Sequence, residues 1–428
     1  MSRGLRARVH FVLPAGLDPL LGGPRGRRAA ERIPARALTP VLVAALVPLA
    51  VAVLRQAHCL DSGWQGRGPL WRVCSSDLLA SFAGDGLGRG LTAYLAGDLP
   101  LRQSVGSGAL MAFLGGLVPP GSPLAGSRAF LILWALLAAG CLLAGVWLVA
   151  TMRGEPHRNA ALAALSPVVA LAVLTGPDVV GVTLASAGLW AWSRRRGVLA
   201  GLAFGLGTLT SSYPLLLAFS VTVAALAADG SVARPALLRL WAALAGTLAV
   251  GLIPFALAHP DTALAAYRAW WSAPPGVGSP WLMPSMAGVA IPAAAGTLLA
   301  VLGWALALGL GTSLTRLAPG ASTPAQMGLV VVAVVLVTGK AVPVSASLWL
   351  VPLVALAGVR WRDALLWAAA EGAHLVAASY YLGGLEVPDK GLPAPIYTVF
   401  LILRLVAIGN LAWQVWPRGG RGLGRMPS

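Results

Sequence analysis

The feature that most constrains this chain is a recurring run of Leu, Ala, Val and Gly, repeated with arginines bunched between the runs. Crossing the hydrocarbon core of a bilayer takes ~20 residues of helix, and stretches such as 128–151 and 237–258 are apolar over that length. They show no period-2 alternation, which excludes an outer-membrane barrel and predicts helices. Charged residues are only 11% of the 428, whereas a soluble domain carries about a quarter. Mean hydropathy is +0.79. The expected fold class is an all-α polytopic membrane protein.

The formal charge of +17 raises the question of nucleic acid. No basic stretch carries interleaved stacking aromatics, so none is expected as a partner. The arginines sit in short clusters between apolar runs, the positive-inside pattern. Twelve crossings are expected, at about 38–55, 128–151, 160–175, 179–193, 198–211, 213–228, 237–258, 289–312, 326–338, 346–359, 363–380 and 397–416. With the N-terminus inside, Arg153, Arg158, Arg194 to Arg196, Arg234, Arg239, Arg316, Arg360 and Arg362 all face the cytoplasm. This holds only if the apolar stretch 106–117 does not cross, and it is read as a re-entrant or interfacial helix. Residues 1–37 read as a disordered basic cytoplasmic tail, 38–416 as the transmembrane domain, and 417–428 as a second basic tail. The first apolar run behind its long arginine-rich tail reads as an uncleaved signal anchor in the cell (plasma) membrane. The tails would attract anionic lipid headgroups.

That threading leaves residues 56–127 as a long first outer loop with juxtamembrane helices. Long loops in compact proteins are usually functional or disordered, and Trp64, Trp71, Phe82 and Tyr94 argue for order. Cys59 and Cys74 share the loop; on an oxidising face they pair, and otherwise they are two free thiols. Cys141 falls within a crossing and reads as packing. No CxxC, HExxH or Cys/His cluster is present, so no metal site is expected. A P-loop, a GxGxxG after a strand, a GxSxG elbow and an Asp-x-Asp pair are also missing, which argues against a soluble nucleotide donor and leaves no cofactor expected.

What remains is single acids and scattered cations at one membrane face, which suits a lipid-linked phosphate substrate. In CSSDLLASF, residues 74–82, Ser76 is placed to cap a short helix with Asp77 in its first turn. Asp77 then reads either as a capping acid or as a base that accepts a proton from an attacking hydroxyl. Arg268, in YRAWW, reads as a grip for a lipid phosphate or as part of an interfacial aromatic belt. His259 and Asp261 join a site or end a helix. Glu371 and Arg404, inside two crossings, are expected to pair and fix helix packing.

Several stretches together carry a family likeness. CSSD with GLGRGLTAYLAGDLP, then PDVVGVTLASAGLWAWSRRRGVLAGLAFGLGTLTSSYPLLLAF, then GKAVPVSASLWLVPLVAL, and finally RLVAIGNLAW occur in the order seen in one family. The chain resembles family 87 of the bacterial glycosyltransferases, polyprenol-phosphate-mannose-dependent α-mannosyltransferases of the GT-C superfamily. By that resemblance Asp77 matches the catalytic acid of the first outer loop, Asp178 the acid opening a later helix, and Lys340 the lysine near the donor phosphate. Tyr213 matches the tyrosine of a Lys-x-Tyr-Pro motif, although Ser211 stands where that lysine is usual; Ser75, Pro177 and Gly339 also depart from the pattern. The resemblance implies inverting transfer of a hexose, mannose above all, from a polyprenyl phosphate to a cell-envelope glycolipid or polysaccharide, with the active site outside. The alternatives are a transporter or flippase of lipid-linked intermediates, an inactive family member, and a membrane scaffold.

Overall fold

A computed structural model describes residues 35–61, 64, 68–99, 101–152, 156–317 and 323–416. The tail assignments over 1–34 and 417–428, and Arg153, lie outside them. Every element among the described residues is helical, with no strand.

The chain enters through α1 (Ala35–Ala44) and α2 (Leu46–Ala57), interrupted at Ala45. The break has a backbone cause: Pro48 has no N–H to return to the carbonyl four residues before it. The long first loop carries α3 (Gly68–Trp71), α4 (Asp77–Gly84), α5 (Gly90–Leu95) and α6 (Val105–Gly116). The bundle continues with α7 (Pro123–Met152), α8 (Pro156–Ala164), α9 (Pro167–Ala172), α10 (Asp178–Ser193), α11 (Gly197–Thr210), α12 (Tyr213–Asp229) and α13 (Arg234–Ala258). After α14 (Pro260–Ser272) and the single turn α15 (Leu282–Met286) come α16 (Ala293–Leu317), α17 (Pro324–Thr338), α18 (Leu350–Ala357), α19 (Trp361–Glu386) and α20 (Ala394–Val415).

Five stretches are long and apolar enough to cross a membrane: Leu38–Ala57, Pro123–Met152, Gly230–Ala258, Ala293–Leu317 and Ala394–Val415. The protein is therefore an all-α membrane protein. Helix α6 has 12 residues, about 18 Å at 1.5 Å per residue, and with α11 (14 residues) and α17 (15 residues) it falls outside these five. Besides 38–55, broken at Ala45, two further expected crossings are not single helices. The 160–175 run breaks between α8 and α9, where Pro167 starts a new helix behind Ser166. The 346–359 run begins as a 3₁₀ turn over Val344–Trp349 and continues as α18, which ends at Gly358 with φ +73°.

Helices α11 and α13 pack backbone to backbone. Gly197, Gly201 and Gly205 lie one turn apart on α11, and a Cβ at any of them would strike Ala236 O, Leu240 O or Thr247 of α13. Small residues at this spacing let membrane helices approach closely where burial in lipid offers no hydrophobic drive.

This long first loop is clamped to one end of the bundle. Phe82 stacks on Phe130 of α7 at 4.6 Å, and Tyr94 on Phe255 of α13 at 5.2 Å. The Ser104 and Ser107 hydroxyls donate to the Thr210 carbonyl at the end of α11. Thr262 of α14 donates to Gly97 O at 3.0 Å. Cys59 and Cys74 are joined, with Cα atoms 6.3 Å apart, and both are fully buried. In a chain-entropy account such a ring contributes on the order of 3 kcal/mol.

Candidate active site

The loop and the bundle meet at residues 74–77. Ser76 has the extended backbone of a helix N-cap, yet its hydroxyl does not cap α4. It donates instead to the Leu174 carbonyl at 2.6 Å, and the Asp77 N–H donates to Thr175 O at 3.0 Å. The expected cap is thus replaced by a tether: two successive bonds fasten the start of α4 to the chain that leaves α9. Asp178 opens α10 three residues beyond Thr175, so the tether places Asp77 beside it. Asp77 itself is exposed to solvent. Burial raises its pKa above the ordinary aspartate value, and the negative charge of Asp178 raises it further.

Asp178 is half-buried and held from behind. Its Oδ1 accepts from Trp349 Nε1 at 2.8 Å, and the Ser345 hydroxyl bonds the same carboxylate. Gly176 is needed here because a Cβ would meet Ser345 Oγ at 2.8 Å and Asp178 Oδ2 at 3.3 Å. The Tyr213 ring, at the start of α12, stacks on Trp349 at 4.9 Å and 27°. Asp77, Asp178 and Tyr213, widely separated in sequence, therefore form one cluster.

The segment presenting Ser345 and Trp349 is braced from below. Arg404 of α20 and Glu371 of α19 form an ion pair at 2.9 Å, both wholly buried. Arg404 also donates to Val342 O at 2.7 Å and to Ser347 Oγ at 3.1 Å, while Ser347 donates to Glu371 at 2.7 Å. Trp367 Nε1 completes the Glu371 shell at 3.1 Å. A buried pair with its remaining hydrogen-bonding capacity met is the arrangement that survives desolvation.

Lys340 and Arg268 are not bonded to this cluster. Lys340 is 2% exposed, and its ammonium donates to Trp270 O at 2.8 Å, Trp271 O at 3.0 Å and Thr297 Oγ1 at 2.7 Å. All three protons are used, and the group clamps the C-terminal carbonyls of α14, where a cation is favoured. Arg268 pairs with Asp261 on the same helix, both exposed. Exposed pairs of this kind are worth ~0–1 kcal/mol, so this one opens easily. Arg55, near the end of α2, has three buried guanidinium nitrogens with no hydrogen-bond partner among the described residues. Helix α2 packs against α9, which leads into the Leu174–Thr175 tether.

Sequence reasoning missed Trp349, Ser345 and Ser347. Their signal is legible afterwards: two serines alternate through an otherwise apolar stretch, VPVSASLWL. Among the described residues no group of three or more His, Cys, Asp or Glu could hold a metal ion. Compared with models of known protein families and with curated proteins, the chain matches none.

Proposed function

We propose that the protein is a twelve-crossing membrane glycosyltransferase of the GT-C type, which moves a hexose from a polyprenyl phosphate to an envelope glycolipid or polysaccharide on the outer face of the plasma membrane. The observation that carries this reading is the meeting of Asp77 and Asp178, one accessible and one braced, at the end of the bundle that the arginine pattern assigns to the outside. In the proposed reaction an acceptor hydroxyl attacks the anomeric carbon from the face opposite the phosphate. The new C–O bond forms as the bond to the phosphate oxygen breaks, and its electron pair leaves with the polyprenyl phosphate. The hydroxyl proton passes to Asp77 as general base. Asp178, fixed by Trp349 and Ser345, holds sugar hydroxyls and balances positive charge developing on the ring. Tyr213 flanks the sugar.

The leaving phosphate needs a cation. Arg268 is accessible and weakly paired, and the unpartnered nitrogens of Arg55 would be satisfied by an anion. Lys340, the cation that the family likeness suggests, serves as a helix clamp in this account. The test is an inventory of envelope glycolipids in a strain lacking the protein. One glycan truncated at a single hexose is expected; intact glycans together with an accumulated lipid intermediate on the inner face would instead indicate a flippase.

A further inference from the structure

Arg404 of α20 stands where several parts of the chain meet. Its Nε bonds Glu371 at 2.9 Å, and its Nη1 bonds Val342 O at 2.7 Å. Its Nη2 reaches Pro343 O at 3.4 Å and Ser347 Oγ at 3.1 Å. The linker after α14 closes on the same point. Gly278, at φ +81°, lies so near that a Cβ would meet Val342 O and come within 2.5 Å of Arg404 Nη1. The Gly278 N–H donates to Tyr397 Oη at 3.1 Å, and the Val342 N–H to Val277 O at 3.2 Å. Segment 342–347 is therefore fixed from α19, α20 and the linker together.

That segment runs into the 3₁₀ turn Val344–Trp349. At about three residues per turn, successive side chains point ~120° apart, so Ser345, Ser347 and Trp349 take different sides of it. Ser347 faces the ion pair, donating to Glu371 Oε1 at 2.7 Å, while Ser345 and Trp349 both bond the Asp178 carboxylate. Any rotation of the turn at Ser347 carries both donors of Asp178 with it. A buried ion pair is often no more stable than apolar side chains of similar volume, so what Arg404 and Glu371 contribute here is direction. The planar guanidinium fork fixes several acceptors at once, which a lysine ammonium does not do.

We infer that Arg404, seated by Glu371, is a positioning residue for sugar transfer: through segment 342–349 it sets the direction of the Asp178 carboxylate beside Asp77. The inference rests on the proposed transferase reading and extends it from the two acids to the charge pair beneath them. The charged and titratable groups acting around the acids are Asp77 and Asp178 on each other, and Tyr213, which feels both Asp178 and Arg404. Freed from Ser345 and Trp349, the Asp178 carboxylate swings away from the like charge of Asp77, and Asp77 then ionises at lower pH.

Two variants of the full-length protein in nanodiscs test this at unchanged net charge, so a shift in titration reports position. Arg404→Lys keeps the charge and loses the fork. Arg404→Met combined with Glu371→Leu leaves no buried charge behind, and keeps the test open should the lysine variant fold poorly. Transfer from polyprenyl-phosphate-mannose is measured against pH, with melting temperature alongside. The Asp77 carboxyl is titrated by infrared spectroscopy without substrate and assigned by its loss in Asp77→Asn. In both variants kcat should fall at least tenfold with donor KM within threefold of the parent. The acid limb and the carboxyl titration should both move to lower pH, and adding Asp178→Asn should move them no further. Folded variants with the parent's kcat and titration overturn the inference, as does lost activity with an unmoved titration. A titration shift in a protein that transfers no sugar would remove the transferase reading and keep the positioning role, whereas transfer with an unmoved titration would do the reverse.

Discussion

The backbone N–H of Asp77 donates to the Thr175 carbonyl at 3.0 Å, so the acid of the first long loop is hung from the segment that leads into Asp178. Ser76 doubles the attachment through Leu174 O. Ser76→Ala removes that second bond and leaves a buried carbonyl unpaired, at a cost of ~1–3 kcal/mol. The expected result is a lower melting temperature in detergent and a fall in transfer rate larger than the lost folded fraction explains, because Asp77 is no longer held in register. Circular dichroism melts alongside rate measurements at saturating donor check it.

The proximity of the two carboxylates sets a pH dependence. Asp77 is active as a base only when ionised, and burial together with Asp178 raises its pKa above the ordinary value near 4. Transfer should therefore fall on acidification at a higher pH than an isolated aspartate would give. Asp178→Asn removes the like charge, so the acid limb should move to lower pH, whatever the height of the profile. A limb that stays in place or moves up would show that Asp178 does not act on the base.

Much of this architecture is legible in the sequence, and the exceptions have physical causes. The 198–211 and 213–228 runs match α11 and α12 within a residue or two, because Gly197 and Pro214 bound them and their interiors are uniformly apolar. The break at Pro167 and the 3₁₀ start at Val344 were hidden by the same uniformity: hydropathy locates apolar chain, and backbone hydrogen bonding decides how it coils. The likeness to a transferase family singles out Asp77 and Asp178, but only the fold brings them together. Lys340 shows the limit most clearly. The family likeness assigns it to the donor phosphate, and the fold directs its protons to α14 and α16, contacts that no local pattern encodes.

Lys340 and Arg55 should behave oppositely when their charge is removed. Lys340→Met strips three bonds from buried acceptors and should lower the melting temperature by several degrees, with donor KM changed less than threefold in the folded fraction.

Arg55→Met replaces an unpartnered buried charge with an apolar chain of similar length, and the melting temperature should rise. If its guanidinium awaits the lipid phosphate, donor KM should rise about tenfold or more in the same variant. Greater stability combined with poorer donor use separates a binding arginine from a packing one.

The central claim is that Asp77 takes the proton in sugar transfer. Asp77→Asn keeps the shape of the side chain and leaves both tethers to Leu174 and Thr175 intact, while removing the proton acceptor. The decisive measurement is transfer from polyprenyl-phosphate-mannose by the purified variant in nanodiscs, with melting temperature recorded alongside. General-base catalysis contributes ~10²–10⁴-fold. The account predicts a loss of that size at unchanged stability, against much smaller losses in Asp85→Asn and Asp98→Asn. A stable Asp77→Asn protein that transfers sugar at close to the parent rate would contradict it.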